Sequence, residues 1–192
     1  MRMNKNYILD AWLVIALSLG FGAALAGVQN GLSARIAENK LNDSLSQIPA
    51  LVPGSTRGER EVTDGQTVYR AFDAEGRRVG SVVPGTGQGF ADRIEVLVGL
   101  DATADRITGI YVLDQKETPG LGDNVTREEW RSQFAGKPAH APLRVVKTGA
   151  RAEEEIDGYT GATISSEAVT RTVNEAVARF RAAPSGTPEV QP

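Results

Sequence analysis

The chain has 192 residues, a formal net charge of -3 with acidic and basic side chains interspersed, no cysteine and a single histidine. That length allows one membrane segment and one domain of roughly 130–150 residues, and the lack of cysteine excludes disulfides, thiol catalysis and iron–sulfur ligation by this chain. No basic patch with interleaved aromatics is present, so nucleic acid is not an expected partner. His140 lies between Ala and Pro residues in a loop-like stretch and reads as solvated, with no metal-ligand cluster or Ser/His/Asp arrangement elsewhere.

Residues 1–7 are polar and carry Arg2 and Lys5, whereas no residue from Ala11 to Ala34 is charged. The apolar stretch Ala11–Val28 is long enough to cross a bilayer core of about 30 Å. Positive charges ahead of it favour a cytoplasmic N-terminus, with the remainder of the chain outside. Asp10 stands at its start, where a side chain can reach the headgroups. The competing reading is a cleaved leader, since Ala24-Leu25-Ala26 fits a small-x-small cleavage site. Leu32, Ile36, Leu41, Leu45 and Ile48 then recur at roughly helical spacing, and Pro49 and Pro53 are expected to end that helix. Residues 54–66 read as a linker or the loop into the domain.

Strands are expected at Thr67–Phe72, Val79–Val83, Ile94–Leu100 and Ile107–Leu113, the first pair joined by the turn signal Asp73-Ala74-Glu75-Gly76. Two glycine-dense loops, Pro84–Phe90 and Glu117–Asp123, interrupt them. The first lacks the spacing and the strand–helix context of a dinucleotide fingerprint. A helix is expected from Thr126, with Thr126 and Glu129 as a capping box and Val125 with Trp130 as a staple. Trp130 and Phe134 form its buried face, and Gly136 stops it. Leu143–Val146 is a short strand candidate, and Glu153-Glu154-Glu155 reads as a solvated run. Next comes Asp157-Gly158-Tyr159-Thr160-Gly161-Ala162-Thr163-Ile164-Ser165-Ser166, a small-residue turn leading into an amphipathic helix whose apolar face is Val169, Val173, Ala176, Val177 and Phe180. Ser165 or Ser166 suits the N-cap, and Glu167 the first turn. Thr163 therefore stands at a helix mouth, where free N–H groups favour a phosphate. Ala183–Pro192 reads as disordered. The order of elements predicts an α+β domain with a mainly antiparallel sheet and flanking helices behind an N-terminal transmembrane helix. The expected division is 1–30 for N-terminus and anchor, 31–66 for helix and linker, 67–183 for the domain and 184–192 for the tail.

Taken in order, the anchor, the Glu117-Thr118-Pro119-Gly120-Leu121-Gly122-Asp123 loop and the Asp-Gly-x-Thr-Gly-Ala-Thr string at 157–163 resemble the FMN-binding domain family. Within it the chain is most similar to the G subunit of Rnf (Rsx) ion-translocating electron-transport complexes, and it is shorter than the related C subunit of the sodium-translocating NADH:quinone reductase. The resemblance implies a covalent FMN, joined through its phosphate to the hydroxyl of Thr163 by a dedicated flavin transferase. It implies that Asp157, Thr160, Gly161 and Ala162 help the transferase recognise the site, that Ser165 belongs to the cofactor site, and that Gly87, Gly89, Phe90, Glu117, Thr118, Pro119, Gly120 and Leu121 line the flavin ring. It further implies other membrane subunits as partners, the inner membrane as location with the domain on the periplasmic side, and no catalytic side chain or metal of the chain's own. The function so implied is electron transfer through FMN in a complex that couples ferredoxin and NAD to ion translocation. The alternatives are an extracytoplasmic FMN carrier of another respiratory system and an anchored binding domain without flavin.

Overall fold

The computed structural model describes residues 6–63 and 65–183, with side chains from Ala11 onward except that of Thr63. The expectations for Arg2, Lys5, the Asp10 side chain and residues 184–192 lie outside that range. Helix α1 spans Asn6–Leu51 without a break. An 18-residue window within Ala11–Leu51 has a mean hydropathy of 2.1, so the helix is long and apolar enough to cross a membrane. Its Trp12, Ile15, Leu19, Phe21 and Leu25 side chains are exposed. Packing divides the chain into two units, Met1–Asn42 and Asp43–Pro192.

The helix ends at Leu51, between the two prolines expected to stop it, with Pro49 inside its last turn. Proline forfeits its own N–H bond, yet Val52 still donates to the Ile48 carbonyl at 2.8 Å. Ile48, Leu51 and Val52 are buried, none more than 4% exposed. Burial of this face offsets the missing bond, at roughly 1.5–3 kcal/mol for each large apolar side chain.

The expected linker or loop is corrected, because Arg57–Thr63 forms strand β1. It pairs along its whole length with β2 (Gln66–Phe72), from Arg57 opposite Phe72 to Thr63 opposite Gln66. Its alternation of charged residues, Arg57, Glu59 and Glu61 among them, shows no apolar strand pattern and suits a sheet edge. The sheet continues as an antiparallel meander through β3 (Arg78–Gln88), β4 (Arg93–Asp101) and β5 (Ile107–Asp114), in the order β1-β2-β3-β4-β5. Strand β3 absorbs most of the stretch read as a glycine loop. Its register with β2 ends at Tyr69 opposite Val82, while its register with β4 runs on to Gln88 opposite Arg93. Pro84 thus lies in a stretch with one neighbour, where a missing N–H is tolerated.

Strand β4 is the centre of the core, with Ile94, Val96, Leu97, Val98 and Leu100 all essentially inaccessible. Such a run, buried on both faces, needs a cover on each. On one face lie Leu51 and Val52, and the Thr108 hydroxyl donates to the Leu51 carbonyl at 2.6 Å. On the other lies helix α3 (Thr163–Ala182), with Val169, Val173, Ala176 and Val177 inward.

Between β5 and α3 the chain makes short pieces. The expected helix from Thr126 is a 3₁₀ segment Gly122–Thr126, a single α turn α2 (Glu128–Arg131) and a second 3₁₀ segment Ser132–Phe134. No capping box forms, because the Thr126 hydroxyl donates to the Asp123 carbonyl and Arg127 occupies the cap position without a side-chain bond. Trp130 and Phe134 are buried as expected and meet edge to face at 5.3 Å. Strands β6 (Arg144–Val146) and β7 (Glu155–Asp157) pair in parallel. Glu155 is therefore not part of a solvated run. Its carboxylate accepts the Arg151 and Ala152 backbone N–H groups and faces Arg144 at 2.8 Å, which together lower its pKa to about 2.

Candidate functional site

Two tight turns face each other at one end of the sheet. In the first, Thr118-Pro119-Gly120-Leu121, the Leu121 N–H donates to the Thr118 carbonyl at 3.1 Å and Gly120 has a φ of +77°. In the second, Tyr159-Thr160-Gly161-Ala162, the Ala162 N–H donates to the Tyr159 carbonyl at 2.9 Å and Gly161 has a φ of +85°. A positive φ at the third position is what a type II turn requires, and glycine supplies it without strain. Proline before Gly120 presets the first turn. The Pro-Gly and Thr-Gly pairs of the sequence are thus explained by backbone geometry.

The second turn delivers the chain directly into α3, whose first residue is Thr163. The cap position belongs to Ala162, which has no side chain to offer, so the expectation that Ser165 or Ser166 caps the helix is corrected. Ser166 lies one turn inside, where its hydroxyl donates to the Ala162 carbonyl at 2.9 Å and accepts the Tyr159 N–H at 3.0 Å. Ser165 points the other way and donates to Glu117 Oε2 at 2.5 Å. The opening N–H groups of α3 are left without side-chain partners, the arrangement that gives a helix mouth its affinity for anions. Thr163 is exposed, and its hydroxyl makes no hydrogen bond among the described residues.

Between the turns opens a cleft of about 390 Å³, lined by residues from three segments: Phe90, then Glu117 to Gly122, then Gly161 to Ser165. Phe90, Leu121 and Ile164 are each at least half exposed along it. In contrast, Glu117 is only 4% exposed, and its Oε1 accepts the Ala91 N–H at 3.0 Å. Beside the cleft Asp92 meets Lys116 at 3.2 Å, and the Arg93 N–H with that ammonium holds the Asp92 carboxyl below its ordinary pKa.

Of the expected site residues, the cleft brings together Phe90, Glu117, Thr118, Leu121, Gly161, Ala162, Thr163 and Ser165. Pro119 and Gly120 shape its first turn, and Thr160 is an exposed member of the second. Asp157 is placed elsewhere. Its Oδ1 accepts the Ala150 N–H at 2.8 Å, and its carbonyl accepts the Trp130 indole N–H at 2.8 Å, so it ties β7 to the α2 region. Gly87 lies within β3 beneath α3, where a Cβ would collide with the Thr172 hydroxyl. Gly89 abuts Glu117 in the same sense. These two glycines serve close packing. Sequence reasoning missed Gly122 and Ile164 as lining residues. Gly122 was signalled by the Gly-Leu-Gly spacing, whereas Ile164 carried no signal beyond an apolar residue next to Thr163.

A meander sheet with a helix mouth and an apolar-walled cleft suits a flat, phosphate-bearing ligand. Residues 89–178 match the model of the FMN-binding domain. Over 98 residues the chain is 42% identical to the G protein of the Na(+)-translocating ferredoxin:NAD(+) oxidoreductase complex of Acetobacterium woodii, covering 50% of this chain and 46% of that one. It is 39% identical over 98 residues to the C protein of the Na(+)-translocating NADH-quinone reductase of Vibrio anguillarum, covering 47% of this chain and 38% of that one. Among solved structures it is similar to NqrC of Shewanella oneidensis, with a TM-score of 0.54 and 26% identity over 64% of this chain and 63% of that one. The chain spans about half the length of the curated relatives it matches.

The cleft fits FMN. Its volume lies in the range of small-ligand sites, its walls are apolar side chains left open to a flat ring, and the unpartnered N–H groups of α3 suit a phosphate.

Proposed function

We propose that the protein is a membrane-anchored electron carrier whose FMN is joined through its phosphate to Thr163, and that it works as the flavoprotein of an Rnf-type complex coupling ferredoxin and NAD to ion translocation. The observation that carries the attachment is the position of Thr163: an exposed, unpartnered hydroxyl on the first residue of a helix, at the lip of the cleft. FMN supplies the electron-accepting and electron-donating chemistry. The residues of the chain bind, orient and shield it. Phe90, Leu121 and Ile164 cover ring surface, and the α3 mouth stabilises the remaining phosphodiester charge by roughly 0.3–1 kcal/mol. A threonine hydroxyl is a poor nucleophile without a base, and the described residues place none against it, which supports attachment by an external flavin transferase. The similarity to the ferredoxin:NAD(+) oxidoreductase protein supports membrane partners, α1 supports anchoring, and Arg2 and Lys5 ahead of it support a periplasmic side for the domain. The similarity to the NADH-quinone reductase proteins supports a second reading, a carrier in a respiratory complex of that kind; the proteins that co-purify separate the two.

The decisive experiment is expression with the transferase followed by denaturation. The chain is expected to stay yellow and gain about 440 Da, the mass added by an FMN phosphoester, on the peptide carrying Thr163. Thr163→Val is expected to abolish both signals, and flavin retained in that variant would overturn the assignment.

A further inference from the structure

The cleft has a buried charge at its base that lining a ring does not explain. Glu117 is 4% exposed and forms no ion pair among the described residues, since Lys116 next to it is engaged by Asp92. Each of its oxygens instead serves a different segment. Oε1 accepts the Ala91 N–H at 3.0 Å, and Oε2 accepts the Ser165 hydroxyl at 2.5 Å. Glycines stand where its contacts are closest: a Cβ on Gly122 would come within 2.8 Å of Oε2, and one on Gly89 would collide with Oε1. The sequence thus leaves room for a carboxylate at the point where all three cleft walls meet. An uncompensated buried carboxylate is costly. Here two donors and the positive end of α3 compensate it, Ser165 being the third residue of that helix.

We propose that Glu117 is a positioning residue, a latch that fixes the first turn of α3 against the 89–92 and 117–122 segments and so holds the Thr163 hydroxyl at the lip of the cleft. The inference rests on Thr163 as the attachment point. Glu117 acts through Ser165, two residues further along the same helical turn. In the attachment step itself FAD is the co-reactant: the bond between its phosphates breaks, AMP leaves, the FMN phosphate bonds to Thr163 Oγ1, and the hydroxyl proton is released. Glu117 takes no part in that exchange. It orders the acceptor beforehand, which lowers the entropic cost of reaching a reactive geometry.

The test uses the full chain as wild type, Glu117→Gln, Ser165→Ala and the double variant. Amide hydrogen exchange is measured without flavin, and attachment kinetics with FAD and the transferase. Glu117→Gln is expected to speed exchange at residues 91 and 166–168 about tenfold, as expected for the loss of charge-assisted hydrogen bonding, with β4 unchanged. Ser165→Ala is expected to reproduce the effect at 166–168 and leave residue 91 protected. The double variant is expected to be no faster at 166–168 than Glu117→Gln, because both substitutions remove the same bond. In attachment, kcat should fall about tenfold with KM unchanged, a separation that general destabilisation would not give. Wild-type exchange at 166–168 in Ser165→Ala, or additive effects in the double variant, would overturn the latch, and Ser165→Ala keeps this outcome open if Glu117→Gln fails to fold. An unmodified Thr163 in the wild type with the exchange pattern intact would instead sink the attachment reading and leave the latch standing.

Discussion

Thr163 and Gly161 divide the work of the proposed attachment turn. Thr163 offers the exposed hydroxyl, and Gly161 offers the backbone that puts it there. At a φ of +85° any other L residue is strained, and a Cβ would also approach Leu121 Cδ2 at 3.4 Å. Gly161→Ala is therefore expected to lose about 1–2 kcal/mol of stability, measured by urea denaturation. It is also expected to slow flavin attachment more than its small loss of folded population allows. An unchanged attachment rate would mean that the turn is not required for access to Thr163. Gly120 has the same backbone need on the opposite lip, which explains why both strings place glycine after Pro119 or Thr160.

Among the elements, β3 and α3 approach each other through glycine. Gly85 and Gly87 present bare backbone to the helix: a Cβ at 85 would sit 3.0 Å from the Ala176 methyl, and one at 87 would strike the Thr172 hydroxyl. The two strand glycines thus let α3 lie close enough to bury Val173 and Ala176 completely. Gly87→Ala is expected to cost about 1–3 kcal/mol by overpacking. Adding Thr172→Ala should recover part of that loss, since it removes the struck atom while leaving the helix intact. A double variant no more stable than Gly87→Ala would refute the close-approach explanation. The same contact explains why a glycine-rich stretch proved to be a strand. Its glycines are a packing device seen from α3, and a single sequence carries no sign of what lies across from a residue.

Considered whole, the molecule joins an apolar helix to a domain whose core includes the end of that same helix. Ile48, Leu51 and Val52 are buried within the Asp43–Pro192 unit, and the Leu51 carbonyl receives the Thr108 hydroxyl. Deleting residues 1–42 should leave a water-soluble domain with a melting temperature close to that of the full chain in detergent. Deleting residues 1–52 strips a cover from β4 and is expected to lower stability by several kcal/mol, at about 1.5–3 kcal/mol for each buried apolar side chain. Equal melting temperatures for the two truncations would show that the helix end adds nothing to the core.

The sequence by itself determined the apolar helix, the position of four of the five meander strands, the amphipathic helix at the end and the likeness of residues 89–178 to the FMN-binding domain. Hydrophobic period and turn chemistry are local properties, and they survive in a string of letters. Tertiary structure alone decided the rest. The charged strand β1 exists because β2 supplies its partner, and α1 passes Pro49 because the face beyond it is buried. Glu117 was legible as part of a glycine loop, but its oxygens are engaged by Ala91 and by Ser165, 26 and 48 residues away along the chain. A buried charge is defined by what surrounds it. Thr163 was placed at the helix mouth by the sequence, and only the fold showed the cleft beside it and the buried carboxylate that Ser165 meets in the same helical turn.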